Sequence, residues 1–205
     1  GEGNAHNNIG DALLRQADYA GAEAALKRAV SRKDANWQMC SSMDDATRAK
    51  FRETMLNTWR MLQVAQWKQA KHADAICTSE QAKSQAFLMM LSESASSSTD
   101  SGSSEAISWP AVQEAVRKQN SATLVFSHTN LTGFNYLYSW LVSADGNIVA
   151  QHEVNVDTEL TSYGGNLTKL VDAALEYIVH PAAAPQICDR CAIFPLKPFA
   201  TPHAG

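Results

Sequence analysis

The chain has 205 residues, 45% of them hydrophobic and 19% charged, with a formal net charge of −4 at pH 7. That length buries one good core or two modest ones. The mild acidity excludes nucleic acid as the main partner, because phosphate binding needs concentrated Lys and Arg. No apolar run approaches the roughly 20 residues of a membrane span. The opening Gly1-Glu2-Gly3 stands in place of Met and lacks the apolar segment of a secretory signal, so a fragment or processed product is expected. Four cysteines, Cys40, Cys77, Cys188 and Cys191, are too few and scattered for a disulfide framework, which points to a reduced, cytoplasmic protein. Without a secretory signal, the sequons at Asn130 and Asn166 read as chance matches.

From Asn8 the chain reads NIGDALLRQADYAGAEAALKRAV. Small residues at Gly10, Ala17, Ala22 and Ala29 alternate with Ile9, Leu13, Tyr19 and Leu26 at spacings of three and four. That predicts two short helices, each with one apolar face. Ala17-Asp18 fits the turn, and Asp18 can cap the second helix through its side-chain oxygen. The pattern resembles a tetratricopeptide repeat. Ile9-Gly10 takes the place of the family's Leu-Gly and Leu13 that of its Tyr, while Ala22, Leu26 and Ala29 follow at family spacing. Asp34 stands near the place of the family's closing proline. Any alanine-rich helical hairpin is the alternative reading.

After a less regular connection over 31–45, Asp44 or Asp45 can cap a helix from Ala46 to about Lys68. Its apolar stripe runs through Phe51, Met55, Leu56, Trp59, Leu62 and Val64. A further helix is expected from about Gln69 to Leu91, carrying Ala73, Ile76, Cys77, Ala82, Ala86, Phe87, Met90 and Leu91. Cys77 reads as a small buried hydrophobe, and His72 as structural or exposed. Residues 92–106, SESASSSTDSGSSEA, form a serine-rich linker.

Ser108 and Pro110 suit the start of a short helix over AVQEAVRKQ. Thr123-Leu124-Val125-Phe126 and the run from Tyr136 to Val142 are rich in β-branched and aromatic residues and predict strands. Ala144-Asp145-Gly146-Asn147 predicts the turn of a hairpin into a third strand at Ile148-Val149-Ala150. The order resembles the start of a CHAT domain, the caspase-like domain associated with tetratricopeptide repeats. Thr123 to Phe126 match its first strand, and Leu137-Tyr138-Ser139-Trp140-Leu141-Val142 with Asp145-Gly146 match its second. The helix at Glu80, with Lys83, Ala86, Phe87, Leu88 and Leu91, resembles the arginine- and alanine-rich helix that precedes that domain. Ala192-Ile193-Phe194-Pro195 and Pro198-Phe199-Ala200 resemble a later family segment, with the intervening residues shortened.

Candidate chemistry is sparse. The resemblance implies a histidine and a cysteine beyond the Pro-Phe segment, the cysteine in a Ser-Ala-Cys-like sequence, where imidazole withdraws the thiol proton and the thiolate attacks a peptide carbonyl. No such sequence occurs before Gly205, and neither Cys188 nor Cys191 matches it. Cys188-Asp189-Arg190-Cys191 is a lone Cys-x-x-Cys pair, with His180 and His203 the local candidates to complete a zinc site. His128, His152 and Trp140 read as structural. Asn166 to His180 predicts an amphipathic helix, and the preceding Gly164-Gly165 reads as loop rather than a phosphate cradle.

The expected class is α/β. Tetratricopeptide-like hairpins (1–91) and the linker (92–106) precede the first strands and helix of a caspase-like CHAT sheet domain (107–205). No catalytic, cofactor-binding or metal site is assigned, and no cofactor is expected. The function expected is an interaction or scaffold subunit. Its protein partners would bind through the tetratricopeptide-like groove, within a larger assembly and without nucleic acid or a membrane span. Two alternatives stay open: a fragment of a cysteine protease whose dyad lies beyond Gly205, and a plain α+β protein with a chance resemblance.

Overall fold

The structure is a computed structural model that describes residues 2–37, 44–94, 106–162 and Lys169. The described residues form six helices and a three-stranded antiparallel sheet, the mixed class expected. In chain order these are α1 (Glu2–Arg15), α2 (Tyr19–Trp37), α3 (Asp45–Lys68), α4 (His72–Ser94), α5 (Trp109–Gln119), β1 (Thr123–Leu131), β2 (Phe134–Val142), β3 (Ile148–Asn155) and α6 (Val156–Ser162). The chain divides into two units, Gly1–His152 and Glu153–Gly205. In the second, the Asn155 side chain accepts from the Thr158 amide at 3.2 Å and so caps α6.

The first four helices form two hairpins closed by the same turn. In the first, Ala17 takes a left-handed conformation (φ 59°), its amide donating to the Leu14 carbonyl and that of Asp18 to the Leu13 carbonyl. In the second, Ala70 (φ 58°) donates to the Trp67 carbonyl and Lys71 to the Gln66 carbonyl. These bonds satisfy carbonyls that a helix end leaves open. At one constant offset, Ala12, Gln16, Ala17, Ala20, Ala22 and Ala29 fall on Ala65, Gln69, Ala70, Ala73, Ala75 and Ala82. The two hairpins thus share a turn and these six identical positions, five of them alanine.

Within the first hairpin the helices approach closely. A Cβ placed on Gly10 would lie 2.5 Å from Leu26 Cγ, so the small residue is a steric requirement. The Asp18 carboxylate accepts from the Gly21 amide at 2.9 Å, the expected cap of α2. Asp44 caps α3 by accepting from the Thr47 amide and hydroxyl at 2.9 and 2.7 Å. Ser108 sits at the cap of α5 without a side-chain cap bond, and Pro110 occupies the first turn.

β2 lies between β1 and β3, so the chain forms a meander. β1 and β2 pair without a bulge from Thr123↔Val142 to Leu131↔Phe134, closed at Thr132-Gly133, where Gly133 has φ 84°. The expected turn at Asp145-Gly146 is present, with Gly146 at φ 81°. α5 holds it from outside: Gln113 Nε2 donates to the Gly146 carbonyl at 2.9 Å and Arg117 Nε to the Asp145 carbonyl at 3.0 Å.

Leu14, Leu26, Leu62, Val64, Ile76, Val116, Tyr138, Trp140 and Val142 belong to one hydrophobic cluster, so helices and sheet share a core. Several elements differ from the sequence reading. β1 runs on through His128, Thr129 and Asn130 to a first hairpin, because Gly133 supplies the positive φ the turn needs. Gln69-Ala70-Lys71 is a turn, and α4 starts at His72. Ile9 and Phe87, placed on apolar faces by periodicity, are solvent-exposed. Part of the serine linker (95–105), Cys40, Gly164-Gly165, the expected Asn166–His180 helix apart from Lys169, Cys188, Cys191, His203 and the proline-rich tail lie outside the described residues.

Candidate functional site

The richest chemistry lies where α3 meets the sheet. Antiparallel pairing puts Val125, Ser127 and Thr129 on the same face as their β2 partners Trp140, Tyr138 and Tyr136. Trp67 of α3 packs edge-on against Trp140 (centroids 5.3 Å apart) and tilted on Tyr138 (4.7 Å). Lys68 Nζ lies 4.9 Å from the Tyr136 ring centroid, a cation–π contact. One turn earlier on α3, buried Gln63 accepts from the Ser127 hydroxyl at 2.7 Å. Among the described residues, Gln63 Nε2 and Trp140 Nε1 are buried donors without an acceptor. Dispersion and ring packing therefore hold this seam, against the cost of those groups. Trp140 is fully buried core, as its sequence setting implied.

Two buried charged groups lie in the helical layer. Glu23 of α2 accepts from Lys27 Nζ at 2.7 Å, Lys71 Nζ at 2.6 Å and Gln69 Nε2 at 2.9 Å. Burial alone raises its pKa, but the bonds from Lys27, Lys71 and Gln69 outweigh that and bring it down to about 2. Gln69 also donates to the Tyr19 carbonyl at 3.0 Å, so the second turn is bolted to α2. Lys33 is the opposite case. Its ammonium is buried and, among the described residues, bonds neutral oxygens, Thr58 Oγ1 at 2.7 Å and the Thr54 carbonyl at 3.1 Å, with Thr58 also joined to Asn7. Burial lowers its pKa to about 8.

The nucleophile inventory is short. Cys77 on α4 is half-buried, and burial, helped by the negative charges of Asp74 and Glu80, pushes its thiol up to about 11. It is a poor thiolate source at neutral pH. Burial lowers the pKa of His72, which packs edge-on against Trp67 at 4.8 Å. His128 Nε2 lies 2.9 Å from Asn135 Oδ1 across the β1–β2 pair, and His152 is half-buried on β3. Among the described residues, no three His, Cys, Asp or Glu side chains gather to hold a metal ion. No described helix is long and apolar enough to cross a membrane.

The α3 face bearing Gln63, Trp67 and Lys68 is covered by the chain's own sheet rather than open to a partner. Periodicity missed this because it identifies a buried face without saying what buries it. The aromatic run on β2 was the available signal, since Tyr136, Tyr138 and Trp140 alternate onto one side of a strand. Comparison with protein-family models, curated proteins and solved structures finds no match for this chain.

Proposed function

We propose that the chain is the interaction and scaffold portion of a protein of the tetratricopeptide–CHAT kind. Its helical hairpins would support the first strands of a caspase-like sheet and engage protein partners within a larger assembly. One observation carries the reading: two consecutive hairpins close with the same left-handed alanine turn, and alanines recur at one offset through both. Tandem hairpins of this sort stack into surfaces suited to peptides and partner helices. The close approach of Gly10 to Leu26 supports it, since the family's small position has that steric role. The raised thiol pKa of Cys77 supports a non-catalytic role for that side chain.

A cysteine protease is the rival reading, with its dyad in sequence beyond Gly205. An activity-based thiol probe on the full-length protein separates the two. The scaffold reading expects no cysteine labelled in a histidine-dependent way. A labelled cysteine that loses its label on mutation of one histidine replaces that reading with the protease.

A further inference from the structure

The corner between α3 and α4 does more than reverse the chain. His72 opens α4 directly after the left-handed turn at Ala70. Its imidazole packs edge-on against Trp67, with ring centroids 4.8 Å apart. Trp67 is the ring that α3 sets on Tyr138 and Trp140 of the sheet. His72 therefore backs the aromatic seam between the second hairpin and the sheet.

This corner favours the neutral ring. Nδ1 of His72 is buried and, among the described residues, has no hydrogen-bond partner. Protonation would turn it into an N–H donor with nothing to accept it, a cost that the neutral tautomer with its proton on Nε2 avoids. The ring also sits in the first turn of α4, where open amides present partial positive charge and disfavour a cation. The charged groups around it do not compensate. Lys68 of α3 and Lys71 of the turn are themselves cations, and the Glu23 carboxylate of α2 is engaged by Lys27, Lys71 and Gln69. Asp74 lies two positions along α4, a spacing that does not share a face. The sheet presents the Tyr138 phenol beyond Trp67.

We propose that His72 is an acid-sensitive catch: as a neutral ring it backs Trp67 against Tyr138 and Trp140, and its protonation loosens the second hairpin from the sheet. The catch goes beyond the scaffold reading and operates whichever of the two rival functions is correct.

The test compares the 205-residue chain with His72→Phe, which keeps a flat ring against Trp67 and cannot be protonated. Below the ordinary histidine value of 6.5 the unfolded chain takes up a proton that the folded corner resists, so stability falls as pH drops through this window. In urea denaturation, the wild-type folding constant relative to His72→Phe should fall by up to about tenfold per pH unit there. His6, His128 and His152 are common to both proteins, and Glu23 titrates well below the window. Near-UV circular dichroism, which reads packed aromatic rings, should weaken over the same window in the wild type alone. A ratio constant with pH, or a near-UV signal that does not move, overturns the proposal. An NMR titration of the wild-type ring, assigned through its contact with Trp67, needs no folded variant. Its midpoint is expected below 6.5; a midpoint at or above 6.5 would show that the indole holds the imidazolium as a cation–π pair, and overturns the proposal.

Discussion

The two hairpins share a turn and differ in what their helices are asked to do. In the first, Gly10 lets Leu26 of α2 press against the α1 backbone. In the second, the counterpart of Gly10 is Gln63, which reaches across to Ser127 of the sheet. The counterpart of Leu26 is Ser79, whose hydroxyl bonds the Ile76 carbonyl at 3.0 Å. A single local frame thus yields a tight apolar pair in one copy and a polar, sheet-bearing platform in the other. The turn sets the geometry and the residues at the crossing set the use.

Substitutions that strike one copy and spare the other sharpen this comparison. The largest effect is expected at the platform. Trp140→Ala removes a fully buried indole packed on Trp67 and should cost about 3–5 kcal/mol in urea denaturation. A cost under 1 kcal/mol would mean that the sheet adds little to the second hairpin. Gly10→Ala acts only on the first hairpin and should cost about 1–3 kcal/mol by overpacking against Leu26. An unchanged midpoint would show that the helices simply slide apart.

The Glu23 bolt between the hairpins makes an acid-sensitive joint. Its folded pKa of about 2 lies below the ordinary 4.5, so its contribution is fully present above pH 4.5 and is lost as pH falls through 2. Wild-type stability should drop by roughly 3 kcal/mol over that window through this group, and Glu23→Gln should flatten that part of the pH profile. A mutant profile parallel to the wild type would remove Glu23 from the account. The smallest effect tests the shared turn itself. Ala17→Gly and Ala70→Gly should each stabilise by about 0.5 kcal/mol, the relief of a left-handed alanine less the added freedom of the unfolded chain. Unequal responses would show that the two turns are not equivalent.

Much of the fold was legible in the sequence, and the gaps have physical causes. Asp18 and Asp44 announced their helices because a carboxylate before an apolar stripe is a strong cap signal. Asp145-Gly146 announced its hairpin for a similar reason. The Gly133 turn was hidden because polar His128, Thr129 and Asn130 break the apolar run that marks a strand, although alternation of faces continues through them. The second turn was hidden because Gln69-Ala70-Lys71 contains neither glycine nor asparagine, the residues that tolerate positive φ. The recurrence of alanines at one offset could have been read from the sequence alone. Ile9 defeated periodicity, because spacing assigns a residue to a stripe without showing whether anything packs there. The platform role of α3 needed the third dimension: Gln63 and Trp67 meet Ser127 and Trp140, respectively, only when segments 64 residues or more apart fold together.

Lys33 turns the helical layer into its own clock. An amine whose pKa has fallen to about 8 is largely unprotonated at pH 9, the form that attacks acylating reagents. Enclosed between α1, α2 and α3, it can meet a reagent only when those helices part. Its acylation rate, followed by mass spectrometry beside exposed Lys27 and Lys118, should therefore lag theirs by orders of magnitude and report how often the bundle opens. Labelling as fast as at Lys118 would show that the bundle breathes on the timescale of the reagent.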